Sequence, residues 1–274
     1  HSESSPACSA ATAQRVSVSR SATSPMLRNP IPIFTGIYPR RIKYYPSIDE
    51  GGWAAPANRL ECPPVTLRKP LLANTRPTLH PLPLKDAELL FCERIDLGCA
   101  PDMLMQQLVA DCQWRQETVT LFGKTHPQPR LIAWYGDKGT DYTYSGTRHT
   151  PLDWTPELLR LRNALQTFTG SRYNSVLLNL YRDESDAMGL HADDEPELGD
   201  EPVIASLSLG EQRTLFFRHR HRRDIETFNL PLPPASLLVM RGPTQRNWKH
   251  GIRKRRKPLG PRLNLTFRWI YPQV

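Results

Sequence analysis

RLNLTFRW, residues 262–269, alternates without a break. Successive side chains of an extended strand point to opposite sides. Arg262, Asn264, Thr266 and Arg268 therefore share one face, and Leu263, Leu265, Phe267 and Trp269 share the other. The apolar face predicts a supporting layer behind the strand, while the polar face presents two guanidiniums and an amide. Upstream, VLLNLYRD (176–183) repeats the pattern, with Asn179 and Tyr181 on one side and Leu178 and Leu180 on the other. Two half-exposed strands with solvated polar faces would alternate in the same way. Against that reading, two arginines in one row suit a small anion such as a dicarboxylate, held by forked hydrogen bonds.

Between these strands lies His191-Ala192-Asp193, and His250 follows Asp193 by 57 residues. The His-x-Asp spacing puts both side chains on the same side of an extended segment. Two imidazoles and one carboxylate on one face of a metal are the ligand set of non-haem Fe(II) oxygenases. With eight histidines in the chain, such a pairing also arises by chance, and a His among carboxylates is commonly surface chemistry.

Further outward, the segments 174–182, 203–209, 213–218, 236–241 and 262–270 read as short strands separated by turns. Two helices precede them. Pro101–Cys112 spaces Leu104, Leu108 and Cys112 on one face. Thr155-Pro156 caps a run carrying Leu158, Leu161, Leu165 and Phe168 to a stop at Gly170. Two helices followed by a run of strands predict an α+β fold whose β part is a sandwich or barrel.

Residues 84–274 carry all of these features and are read as one domain, whereas 1–83 contain thirteen of the 27 prolines and sustain no period. That N-terminal region is expected to be disordered or extended. It also holds ten Lys/Arg against four Asp/Glu, +6 of the net +9. Residues 1–44 are rich in Arg and Ser with one acidic group, a pattern that fits either a targeting segment or over-long translated sequence. The five cysteines (Cys8, Cys62, Cys92, Cys99, Cys112) form no CxxC pair, which excludes a zinc ribbon and favours a reducing compartment. No apolar run reaches the roughly 20 residues of a membrane helix. A cytoplasmic monomer is expected, or one in the nucleus or an organelle if the source is eukaryotic.

In chain order, Asn179-x-Tyr181, His191-x-Asp193, His250 and Arg262-x-Asn264-x-Thr266-x-Arg268 fall within 90 residues. Together with the stretch NLYRDESDAMGLHADDEPELG (179–199), this resembles the AlkB family of Fe(II)/2-oxoglutarate-dependent dioxygenases, its nucleic-acid dealkylation-repair branch above all. The resemblance spans 84–274. It implies a double-stranded β-helix (jelly roll) with helices buttressing one sheet. His191, Asp193 and His250 resemble the Fe(II) ligands, which would also be the catalytic centre. Arg262 and Asn264, with Tyr181, resemble the residues holding the distal carboxylate of 2-oxoglutarate, and Arg268 and Asn179 those near its metal end. The implied reaction hydroxylates an N-alkyl group on a base such as 1-methyladenine or 3-methylcytosine in DNA, releasing an aldehyde, succinate and CO2. RNA as the substrate, or a noncatalytic nucleic-acid-binding protein on the same fold, are the alternatives.

Chemistry on a base requires the base to leave its stack. By the same resemblance, Tyr144 and His191 would flank a flipped base, Tyr142 and Ser145 would line its pocket, and Glu195 would face its edge. The segment AWYGDKGTDYTYSG (133–146) is otherwise an ordinary aromatic hairpin. Phe122, between VTL and a turn-rich stretch, resembles a finger that fills the gap left by the base; without the resemblance it is a core Phe near a turn. Arg130, with Lys124, is placed for phosphate or pocket contacts. The runs RHRHRR (218–223) and RKRRK (253–257) become backbone-binding loops in this reading, and solvated loops without it.

Overall fold

The computed structural model describes residues 77–121, 124–144 and 147–271. Along the chain the elements are β1 (His80–Leu82), β2 (Glu88–Cys92), α1 (Pro101–Asp111), β3 (Thr118–Leu121), β4 (Lys124–Pro127), β5 (Leu131–Gly136), β6 (Tyr142–Tyr144), β7 (Thr147–His149), α2 (Pro156–Thr169), β8 (Ser175–Tyr181), β9 (Met188–His191), β10 (Ile204–Gly210), β11 (Arg213–His219), β12 (Phe228–Leu232), β13 (Leu237–Arg241), α3 (Thr244–Asn247), β14 (Trp248–Ile252) and β15 (Arg262–Arg268).

Among the described residues two large antiparallel sheets form the core, and β3–β4 and β6–β7 are separate two-stranded hairpins. Seven strands run in the order β1-β2-β13-β10-β15-β8-β5, and four in the order β12-β11-β14-β9. This is the jelly roll expected. Both faces expected from the alternation are present in β15. Leu263, Leu265 and Phe267 join Val176, Leu178 and Leu180 of β8 in a core capped by Leu104 and Leu108 of α1 and Leu158, Leu161 and Leu165 of α2. Burying each of those leucines stabilises the layer by about 1.5–3 kcal/mol. The helices therefore buttress one face of the larger sheet. The other face meets the smaller sheet, where Leu89, Ile204, Leu238 and Met240 pack on Leu215, Phe217, Leu232 and Trp248.

Helix α2 begins and ends where its sequence dictates. The Thr155 hydroxyl accepts from Leu158 N–H at 3.2 Å, Pro156 occupies the first turn, and Gly170 closes the helix in the left-handed region at φ +70°. Other expectations need correction. Strands do not simply follow the helices: β1 and β2 precede α1, and β3 to β7 lie between α1 and α2. The hairpin β1–β2 pairs His80 with Phe91 and Leu82 with Leu89, so the boundary placed at residue 84 falls inside it. Pro81 conceals β1, and an edge strand is where a sheet tolerates proline. The reading of residues 1–76 as disordered or extended lies outside the described residues. Trp134 and Tyr135 belong to β5 of the larger sheet rather than to an aromatic hairpin, and the Tyr135 hydroxyl accepts from Gln113 N–H at 2.9 Å.

Candidate functional site

All seven residues of β15, Arg262 to Arg268, are buried. That decides between the two readings of the alternation, because the polar face cannot be solvated. It looks between the sheets, into a pocket also lined by Asn179 and Tyr181 of β8, Ser206 of β10, and His191, Asp193 and His250. The register explains the clustering: Arg262 stands opposite Tyr181, and Asn264 opposite Asn179. On the facing sheet, His250 of β14 stands opposite His191 of β9.

Donor atoms of His191, Asp193 and His250 lie within 4.8 Å of one another, an arrangement able to hold a metal ion. Each imidazole Nε2 is 3.8 Å from an Asp193 carboxylate oxygen, one from each side. His191 Nδ1 lies 3.0 Å from the Gly189 carbonyl. A proton on that Nδ1 donates to the carbonyl and leaves the Nε2 lone pair free for a metal. Burial holds both imidazoles below their usual range, His250 down to about 3, so both are neutral near pH 7. Burial alone would raise the Asp193 carboxyl, but the adjacent Arg268 guanidinium leads the opposing charge interactions and the carboxyl lies below its usual range. Two neutral imidazoles and one carboxylate within reach of a common point fit a divalent metal.

At the other end of the pocket Arg262 is 1% exposed. Its Nη2 donates to Ser208 Oγ at 3.0 Å and the Tyr181 side chain lies within its reach, while Nε and Nη1 have no hydrogen-bond partner of good geometry among the described residues. Burial lowers its pKa to about 10, so it remains a cation at neutral pH. The Tyr181 ring lies 5.2 Å from its guanidinium. A buried cation with unsatisfied donors is incomplete without an anion, and a carboxylate matches the fork. The residues present thus fit 2-oxoglutarate as well as the metal.

Other candidates sit differently from their expected roles. Both amide hydrogens of Asn264 are spent on β10, on Ser206 Oγ at 2.8 Å and Leu207 O at 3.1 Å, so its amide braces two strands and has no donor left for a carboxylate. Arg268 Nη2 donates to Asp193 Oδ1 at 2.7 Å, which makes it a partner of the carboxylate. Arg130 is 4% exposed and its Nε donates to Asn179 Oδ1 at 2.7 Å, a position inside the protein and away from a nucleic-acid backbone. Glu195 is half-buried beside the turn Pro196–Leu198 and lines a neighbouring cleft with Asp194, Arg220 and Gln245, not the pocket of the triad. Phe122 and Ser145 lie outside the described residues. Tyr142 and Tyr144 are placed by backbone alone, in β6 paired to β7.

Sequence reasoning missed Ser206, Ser208 and Gln245. Ser206 and Ser208 alternate with Leu207 and Leu209 in IASLSLG, the signal that exposed β15. Gln245 Oε1 accepts from Asp193 N–H at 3.0 Å across 52 residues, which no local pattern announces.

Comparison with known proteins agrees with this geometry. The family described as the 2OG-Fe(II) oxygenase superfamily matches residues 100–268. Alpha-ketoglutarate-dependent dioxygenase alkB homolog 3 of Homo sapiens is 42% identical over 179 residues, 62% of this chain and 62% of that protein. DNA oxidative demethylase ALKBH2 of Mus musculus is 46% identical over 160 residues, 56% of this chain and 67% of its own length. The match to the former thus spans about three fifths of that relative. Among solved structures, "The structure of OsALKBH1" aligns over 70% of this chain and 99% of its own, at TM-score 0.49 and 18% identity. Family membership brings Fe(II) as cofactor and 2-oxoglutarate as cosubstrate. The chain belongs to the 2OG-Fe(II) oxygenase superfamily and, within it, to the AlkB family.

Proposed function

We propose that this chain is an Fe(II)- and 2-oxoglutarate-dependent dioxygenase that removes alkyl groups from base nitrogens in DNA. The observation that carries the reading is one pocket holding two neutral imidazoles and one carboxylate together with a buried arginine whose Nε and Nη1 have no hydrogen-bond partner among the described residues. In this reading His191 and His250 offer Nε2 lone pairs and Asp193 offers its carboxylate. Arg268 keeps that carboxylate ionised by donating to it. Arg262 receives the distal carboxylate of the cosubstrate, beside Tyr181. Arg130 orients Asn179, a lining residue of the pocket, by donating to its Oδ1. Leu177, Met188, Leu215, Leu232, Met240 and Ile252 wall the pocket and exclude water, which strengthens every charge interaction inside it. When bound, iron and 2-oxoglutarate supply the O2-dependent hydroxylation of an N-alkyl carbon, with succinate and CO2 as products. The hydroxylated group then leaves as an aldehyde.

Nucleic acid as the substrate is supported by the relatives' names and by the charge pattern. Lys254, Arg255, Arg256 and Lys257 are exposed with no ion pair among the described residues. Arg218 of β11 stands opposite Lys249 of β14, and both are exposed. The other basic run is partly consumed, since Arg220 pairs with Asp194 and Arg222 with Asp224. Free cations of this kind neutralise phosphates. The test is 2-oxoglutarate-dependent succinate release on matched methylated oligonucleotides: single-stranded DNA, duplex DNA and RNA. Release on DNA above RNA supports the proposal. Preference for RNA selects the RNA alternative, and no release on any of them selects a noncatalytic nucleic-acid-binding protein.

A further inference from the structure

The three ligand candidates are carried by two separate segments: β9 with the loop after it, and β14. His191 closes β9, so the ladder to β14 does not extend to Asp193, and residues 192–195 have no strand pairing. The Asp193 backbone is nonetheless buried, and a buried N–H requires an acceptor. It finds one in a side chain. Gln245 Oε1 accepts that N–H at 3.0 Å, and Gln245 is itself 1% exposed.

The element that presents this glutamine is a single turn, α3, and it is fixed from several sides. Thr244 Oγ1 donates to Arg241 O at 2.6 Å and accepts from Glu88 N–H at 2.9 Å. Asn247 Nδ2 donates to Asp86 O at 3.0 Å, and Trp248 Nε1 donates to Lys85 O at 2.9 Å. These bonds tie α3 to the β1–β2 hairpin. The Gln245 amide is clamped in turn: its Nε2 points at Met240 Sδ, 3.6 Å away, which leaves Oε1 for Asp193. Its backbone carbonyl accepts from Arg220, the arginine paired with Asp194. Three residues after α3, β14 delivers His250. One rigid turn therefore leads directly into one ligand's strand and grips the backbone of another ligand.

We infer that Gln245 is a positioning residue that sets Asp193 at its distance from His250 and so fixes the metal affinity of the site. The inference rests on reading the triad as the metal site. Groups that orient metal ligands typically change affinity 10- to 100-fold when removed. The experiment is anaerobic titration of the full chain with Mn(II) in wild type, Gln245→Met and Gln245→Glu, with thermal melting of each metal-free protein alongside. Gln245→Met preserves shape and removes the oxygen acceptor; Gln245→Glu keeps an acceptor whether ionised or not. The expected result is at least tenfold weaker Mn(II) binding by Gln245→Met at a melting temperature near wild type, and recovery to within about threefold by Gln245→Glu. If Gln245→Met does not melt cooperatively, Gln245→Asn, which withdraws the acceptor by one methylene, takes its place with the same expected loss. Wild-type-like affinity in the variant lacking the acceptor, or a loss that Gln245→Glu does not restore, overturns the inference. A wild-type protein that takes up no Mn(II), or an Asp193→Asn variant that binds it as wild type does, overturns the triad reading and the inference with it.

Discussion

Arg262→Met should separate cosubstrate binding from stability in a direction opposite to that of an ordinary core substitution. The guanidinium is buried, with Nε and Nη1 unsatisfied among the described residues and one bond to Ser208. A buried unsatisfied donor costs about 1–3 kcal/mol, and the lost Ser208 bond gives back about 1 kcal/mol. The Met variant, with similar length and no charge, should therefore equal wild type or exceed it by about 1–3 kcal/mol, a rise of a few degrees at roughly 2–4 °C per kcal/mol. The ligand-bound state behaves in reverse. Wild-type protein with Mn(II) and 2-oxoglutarate at about 100 times its Kd gains about 2.7 kcal/mol, or roughly 5–10 °C. Removing one member of a buried charge pair costs about 2–5 kcal/mol, so the variant's affinity for 2-oxoglutarate should fall roughly 30- to 5,000-fold. The assay is thermal melting with Mn(II), with and without 2-oxoglutarate. A fall of more than about 10 °C in the ligand-free variant, or a 2-oxoglutarate shift like that of wild type, would refute the assignment of Arg262 as an anion site built at the expense of stability.

Two further outcomes follow from the strands that carry the histidines. A Cβ at Gly251 would meet Met188 O at 2.8 Å and Gly189 O at 2.9 Å, both backbone atoms of β9, whereas a Cβ at Gly189 meets nothing within 4 Å. Gly251→Ala should cost about 1–3 kcal/mol and weaken metal binding by displacing the carbonyl that orients His191, while Gly189→Ala melts like wild type. Protonation provides the other. His250 stays neutral down to about pH 3 in the folded protein, whereas an unfolded imidazole titrates at about 6.5. In that window the unfolded chain binds the extra proton, so stability is full above about pH 6.5 and falls with acidification, by up to about 1.4 kcal/mol per pH unit from this group. Denaturant titration of the metal-free protein near pH 7 and near pH 5 should show the loss, and His250→Leu should flatten it.

How much was legible in the sequence depended on whether an element has two unlike faces. Strand β15 and strand β8 have one face on the helix-capped core and one in the pocket, so their chemistry alternates, and both were visible together with the residues they bring to the site. Helix α2 was visible because its cap and its stop are local. Strand β5, LIAWYG, is buried on both faces and shows no alternation, and β1 is a three-residue edge strand containing Pro81. Within the site, His191 and Asp193 are two residues apart and easily seen. What each polar group is bonded to was hidden, because those partners come from distant strands. Asn264 spends its amide on β10, Arg130 reaches Asn179 across 49 residues, and Gln245 reaches Asp193 across 52. Residue type and spacing identified which side chains converge. Hydrogen-bond accounting in three dimensions decided which of them still have a donor free for an anion.

The most direct test of the proposed activity is mass spectrometry of a single-stranded DNA oligonucleotide carrying one 1-methyladenine, incubated with the full chain, Fe(II), 2-oxoglutarate and O2. The expected result is conversion to the unmodified oligonucleotide with formaldehyde released one-for-one, requiring 2-oxoglutarate and abolished in Asp193→Asn. An oligonucleotide mass that stays unchanged with wild-type protein shown to bind both Mn(II) and 2-oxoglutarate, or demethylation that persists in Asp193→Asn, would contradict it.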